Sequence, residues 1–253
     1  MSISICWSFE EAAQLGSVAP LTTLQSLHES LELPSPFEAR FITIPQRTLL
    51  IWRGASAVGQ YAIQFAKLGG LRVLTRVSSK NFDLVKGGGA DEIFDYRGEG
   101  VVEKIRAATG DALNIAIDTI SEDKTLEMVT GAIGDKVGDW REVAIINPYE
   151  SPRRTVKVTF SMLTELLRRV RLVRPTSTIV SLLCDCRSSH PFLEIKRQVV
   201  HRSTQKILAT GNVKPVPVFI QPNGIARVKD GLQYMQNGKV SLVVVYVSPI
   251  DIG

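Results

Sequence analysis

Between a run of strand formers, Thr48–Trp52, and an apolar-periodic stretch reaching Leu68 stands the turn Gly54-Ala55-Ser56-Ala57-Val58-Gly59. A strand, a tight glycine turn and a helix bring unpaired backbone N–H groups and the positive end of a helix dipole to one point. That arrangement suits a pyrophosphate. The turn keeps the G-x-G-x-x-G spacing of a dinucleotide fingerprint, with Ser56 in the second glycine's place. A side chain there restricts backbone approach, although the Ser56 hydroxyl is able to donate to a phosphate oxygen. By itself the motif also fits a packing turn, so the next strand end carries the decision.

Folds that hold an unphosphorylated adenosine ribose present a carboxylate at the end of the second strand, about 20 residues on. Here Thr75-Arg76-Val77-Ser78-Ser79-Lys80-Asn81 contains none. Arg76 and Lys80 offer cations, and Ser78, Ser79 and Asn81 offer hydrogen-bond donors, the surroundings a 2′-phosphate requires. An ordinary polar loop has a similar composition. Joined to the glycine turn, the segment favours NADP over NAD.

These groups need a scaffold, and hydrophobic periodicity supplies one. Strands are expected at Thr48–Trp52, Leu71–Val77, Glu92–Asp95, Asn114–Ile120 and Glu142–Asn147. Helices are expected between them, through Leu68, over Asn81–Lys86, Val101–Thr109 and about Glu122–Ile133. Alternation of this kind predicts an α/β protein, a Rossmann-type, doubly wound, mostly parallel sheet with flanking helices. Ahead of it, Ser8 and Glu11 form a capping box for one helix, and Thr22–Leu31 reads as another. After Pro148 the pattern weakens. Val156–Val170 reads as strand then helix, Leu193–Thr210 as helix-like, Gly224–Asn237 as a helix and Val240–Val247 as a last strand.

Other chemistries find little support. His28, His190 and His201 are scattered without a nucleophile elbow. Cys184, Cys186 and His190 lack a fourth ligand and zinc spacing, so no metal site is expected. With Cys6 the thiols number three, too few for a disulfide scaffold, which fits a reducing compartment. The net charge of +5 arises within residues 165–206, where nine Lys or Arg face three acids with a single aromatic, Phe192, among them. That is not a nucleic-acid platform. No apolar run approaches the roughly 20 residues of a membrane span, and residues 1–20 lack a signal peptide's basic and apolar regions. A cytoplasmic address is expected.

Three stretches carry a resemblance: Ile51–Lys67 around the turn, Ser79–Lys86, and Gly89–Arg97 with its Asp-Tyr-Arg. They resemble the medium-chain dehydrogenase/reductase superfamily, specifically zinc-independent quinone oxidoreductases and fungal trans-acting enoyl reductases. The resemblance covers about Ser8–Leu163 and resumes at Ile207. It implies cofactor contacts from Gly54, Ala55, Ser56, Ala57, Val58 and Gly59, from Ser78, Ser79, Lys80 and Asn81, from Tyr96 beside the adenine, and from Ile146, with Asn147 next to it. It also implies NADPH-dependent hydride transfer to a conjugated C=C or carbonyl of a small molecule, with a polyketide synthase as a candidate partner and homodimers paired through the last strands.

Four segments follow: 1–36 as linking helices, 37–165 as the dinucleotide-binding domain, 166–205 as an irregular basic insertion or gene-model artefact, and 206–253 as C-terminal helix and strands. Nothing corresponds to the family's GroES-like domain, so a truncated, non-catalytic NADP-binding chain is the alternative reading, and no catalytic acid is assigned. Arg53 stands where relatives carry a small residue.

Overall fold

Strand-forming, β-branched and leucine-rich segments recur at intervals long enough for a helical crossover, and such segments pair in parallel. The computed structural model describes residues 14–15, 17–33, 47–136, 140–148, 151, 153–161, 211–221, 224–236 and 243–246. In it β1 (Thr48–Trp52), β2 (Arg72–Val77), β3 (Glu92–Asp95), β4 (Ile115–Asp118), β5 (Glu142–Ile145) and β6 (Lys157–Phe160) form one sheet in the order β3-β2-β1-β4-β5-β6. Every neighbouring pair is parallel. The expected Rossmann-type α/β fold is therefore the fold observed.

Alternation along the strands builds two cores. Leu49, Ile51, Val73, Val77, Ile115 and Ile117 face one layer, while Leu50, Trp52, Leu74, Ala116, Val143 and Ile145 face the other. On the first face lies α2 (Ala57–Leu68), whose Tyr61, Ala62, Ile63, Phe65 and Ala66 are buried. Outside it packs α1 (Val18–Leu24), tied by the Thr23 hydroxyl to the Val58 carbonyl at 3.1 Å. A short 3-10 turn, Ser79–Asn81, leads from β2 into α3 (Phe82–Gly87). The second face is covered by α4 (Val101–Ala108) and α5 (Asp123–Ala132).

Several expected boundaries shift, and each shift has a local cause. The helix expected at Thr22–Leu31 starts earlier, at Val18, and over Gln25–Ser30 it widens into a π-helix closed by the Leu31 N–H on Ser26 O at 3.0 Å. β4 stops at Asp118 rather than Ile120, because the Asp118 carboxylate accepts from the Ile120 N–H at 2.9 Å and folds the chain away. β5 stops at Ile145, where the Ile146 N–H turns to the Ser121 hydroxyl at 2.9 Å.

Towards the C-terminus β7 (Val218–Gln221), absent from the sequence reading, pairs in parallel with β8 (Val243–Tyr246), and α6 (Val228–Gln236) lies between them in the chain. The helix expected at Gly224–Asn237 thus begins as a 3-10 turn at Gly224–Arg227. Outside the described residues lie the Ser8-capped start, the segment boundaries at 36/37, 165/166 and 205/206, the helix-like Leu193–Thr210, and Cys6, Cys184, Cys186, His190 and His201. Among the described residues no helix is long and apolar enough to cross a membrane.

Candidate functional site

β1 has β2 on one side and β4 on the other, so the chain reverses its winding direction there. In an open parallel sheet this leaves a crevice at the carboxyl ends of the strands. The glycine turn closes β1 at that crevice. Its shape depends on two glycines. A Cβ on Gly54 would stand 2.2 Å from Thr75 Oγ1 and 2.9 Å from Ile63 Cδ1. One on Gly59 would meet backbone alone, Arg53 O at 2.6 Å and Gly54 Cα at 2.7 Å. The start of α2 thus rests directly on the turn, and its first N–H groups open into the crevice. Among the described residues those of Ala57 and Val58 meet no acceptor, as expected of a helix's first turn. Ala55 is buried at the base of the turn.

Ser56 has a different role from the one its hydroxyl suggested. It is the N-cap of α2 and accepts the Gly59 N–H at 3.0 Å, which contributes about 1 kcal/mol to helix stability. Ser56 Oγ also lies 2.9 Å from Thr119 Oγ1, and Thr119 donates to Trp52 O at 2.8 Å. With Thr119's proton on Trp52, the Ser56 proton goes to Thr119. The hydroxyl therefore ties β1 to β4 across the crevice, and the turn's backbone is left to face an anion. Thr119 escaped the sequence reading, and the Thr following a buried Asp at a strand end was its only signal.

Arg53 precedes the turn with φ +62°, a left-handed conformation that costs a non-glycine residue roughly 1–2 kcal/mol. Its backbone bonds hold it there. Its N–H donates to Arg76 O at 3.1 Å, and its carbonyl accepts from Ser56 N at 3.1 Å and, at 3.2 Å, shares with Trp52 O the proton of the Thr119 hydroxyl. The side chain is exposed.

The second strand end comes next. The Tyr96 N–H donates to Val77 O at 3.1 Å, which brings Tyr96 and Arg97 beside Ser78, Ser79 and Lys80. Asn81 Nδ2 donates to Ser78 Oγ at 3.1 Å, bracing the loop, whereas Ser79 and Lys80 are exposed. Arg76 is less free than its position implied. Its guanidinium lies 4.4 Å from the Trp52 ring centre and 5.4 Å from that of Tyr96, and it donates to Tyr96 O at 3.1 Å. Burial lowers its pKa from the usual arginine value. Tyr96 is 42% exposed.

On the far side of the crevice the Asp118 carboxyl is buried, which raises its pKa despite bonds from Ile120 N and, at 2.8 Å, from the Thr125 hydroxyl. Ser121, at φ +58°, joins Asp118 O to the Ile146 N–H. Asn147 donates to Ile120 O at 3.0 Å. The Ile146 N–H is therefore already engaged, and a ligand beside β5 meets the remaining faces of 146–147. The structure gathers Gly54–Gly59 and Thr119 at the crevice, Ser78–Asn81 and Tyr96 at one end of it, and Ile146 at the other. Among the described residues no three His, Cys, Asp or Glu side chains converge as metal ligands.

Fold and crevice together define a Rossmann-type α/β protein, and comparison with known proteins adds to this. Residues 57–174 match the family model of zinc-binding dehydrogenases. The chain is 35% identical over 234 residues to the trans-enoyl reductase ACTTS2 of Alternaria alternata, covering 92% of this chain and 63% of that protein. It is 30% identical to the trans-enoyl reductase buaC of Petromyces alliaceus, over 92% of this chain and 62% of that protein. Its fold matches the crystal structure of CurK enoyl reductase with a TM-score of 0.69 at 18% identity, over 96% of this chain and 64% of the other. The chain is thus similar to enoyl reductases of the medium-chain dehydrogenase/reductase superfamily. It spans 63% and 62% of the length of these two curated relatives.

Proposed function

We propose that this chain binds NADPH in the crevice and acts as a reductase of small molecules in secondary metabolism, of the enoyl or quinone type. One observation carries the reading: a sequence that is 35% identical to a trans-enoyl reductase also keeps an intact phosphate turn, with Gly54 and Gly59 at positions no larger residue fits. The fit to a dinucleotide is chemical as well as steric. Free N–H groups at Ala57 and Val58 and the α2 dipole receive the pyrophosphate. A second strand end with hydroxyls and Lys80 but no carboxylate receives a phosphorylated ribose in preference to a bare one.

When bound, the cofactor supplies a hydride for a conjugated C=C or a carbonyl, and a proton completes the reduction. The chain's own residues bind and orient. The Ser56–Thr119 tie holds the crevice at fixed width, Tyr96 offers a ring face where the adenine arrives, and Ile146 and Asn147 border the nicotinamide end. No described side chain is assigned as the acid. Relatives named as trans-enoyl reductases favour this reading over a non-catalytic NADP-binding chain, and a polyketide synthase is the partner it implies.

The test is consumption of NADPH with a panel of enones, enoyl thioesters and quinones, followed by loss of the reduced nicotinamide's absorbance. Turnover of any class supports the proposal. Saturable NADPH binding with no turnover of any member would return the alternative, a binding chain without catalysis.

A further inference from the structure

A reader of the sequence would assign an NADP 2′-phosphate to Arg76, the cation nearest the end of the second strand. We propose instead that Arg97 supplies the phosphate-gripping fork, opposite Lys80, while Arg76 serves as a fixed floor that seats Tyr96. The proposal rests on the NADPH reading above and names the residue that decides between the two nicotinamide cofactors.

Arg76 is held from both sides. Its guanidinium lies against the fully buried Trp52 and under Tyr96, and one terminal amino group is spent on Tyr96 O. Its Nε is buried and has no hydrogen-bond partner among the described residues. To meet a phosphate beyond Ser78, Arg76 would have to leave the Trp52 ring and uncover it, losing a cation–π contact of the stronger, desolvated kind.

Arg97 has the opposite character. Its backbone is anchored, because its N–H donates to Asp95 Oδ1 at 2.9 Å. Its side chain is steadied by one contact, Nε on Tyr96 Oη at 3.1 Å, with the guanidinium 5.4 Å from the ring centre. That contact leaves both terminal amino groups unspent and facing solvent, and among the described residues they form no ion pair. Two such N–H groups in one plane match a phosphate bidentately. The Tyr96 N–H on Val77 O sets residue 97 across the strand end from Ser78–Lys80. Lys80 also lacks an acidic partner among the described residues. Asp95, whose charge acts on Arg97, already accepts from the Arg97 backbone. Tyr96 thus neighbours two guanidinium groups, one packed on Trp52 and structural, the other exposed and available.

The experiment measures NADPH and NADH dissociation constants by nicotinamide fluorescence for the whole chain and for R97Q, R97K and R76L, with 2′,5′-ADP as a competitor lacking nicotinamide. R97Q is expected to weaken NADPH and 2′,5′-ADP by about tenfold or more and to leave NADH unchanged. R97K is expected to fall between, since it keeps the charge without the fork. Rising salt should erode NADPH affinity in the wild type more steeply than in R97Q. R76L is expected to lower the melting temperature. Equal loss of both cofactors in R97Q, or no loss of either, overturns the proposal. If the wild type selects NADPH and R97Q selects it equally well, the Arg97 assignment alone fails. If the wild type binds neither cofactor, the NADPH reading fails and takes this assignment with it.

Discussion

Replacing Gly59 by alanine tests the steric core of the site, because the added methyl would meet only backbone. It would lie 2.6 Å from Arg53 O and 2.7–2.8 Å from Gly54 Cα and C, where ordinary contact begins near 3.4 Å. No side chain is able to swing aside, so the start of α2 must retreat from β1 by roughly 0.6–0.8 Å. Overpacking of this order costs about 1–3 kcal/mol, and for a domain of this size each kcal/mol lowers Tm by about 2–4 °C. The retreat also moves the Ala57 and Val58 N–H groups away from the crevice, so NADPH affinity should fall along with stability. Urea unfolding and cofactor titration of the same preparation measure both. Gly87→Ala is the internal control. Nothing lies within 4 Å of a Cβ there, and its helical position makes alanine neutral or stabilising by up to about 1 kcal/mol. A G59A protein as stable as G87A, with unchanged affinity, would refute the claim that α2 rests on the turn.

Ser56→Ala removes the α2 cap and the bridge to Thr119 and should cost about 1–2 kcal/mol in urea unfolding. Since the hydroxyl proton is given to Thr119, NADPH affinity should fall by less than the roughly tenfold expected of a lost charged hydrogen bond; a larger loss would mean that the hydroxyl reaches the phosphate after all. The Asp118 pKa is raised by burial, so the folded state holds this proton more tightly than the unfolded chain does. Stability then falls as pH rises from the ordinary aspartate value through the raised one. Asp118→Asn should remove that fall from a pH series of melting temperatures, and an unaltered series would show that another group causes it. Trp52→Phe should loosen Arg76 and Tyr96 and weaken NADPH and NADH alike, measured by the same titration, because the buried ring is the floor beneath both.

The sheet was legible because its signals are local and strong. β1 and β3 stand where the strand formers predict, and α2 follows the glycine turn to Leu68 as its apolar period requires. Where strands end was harder to read. Ile146 continues an apolar run and Ile120 resumes one two residues after Asp118, yet Asp118 and Ser121 capture their N–H groups and bend both segments into the crevice rim. β7 was missed because Pro215 and Pro217 precede it, and its partner lies more than twenty residues further on. In the site, residue types predicted which groups gather but not how each is spent. Nothing local says that Ser56 donates to Thr119 or that Arg76 lies flat on Trp52, since both depend on which strands adjoin β1.

The most direct test of the account is a fluorescence titration of the unmodified chain with NADPH and, separately, with NADH. Saturable binding of NADPH, markedly tighter than that of NADH and displaced by 2′,5′-ADP, is the predicted result. A chain that is folded by circular dichroism yet binds neither cofactor would contradict the assignment of the crevice between β1 and β4 as a dinucleotide site.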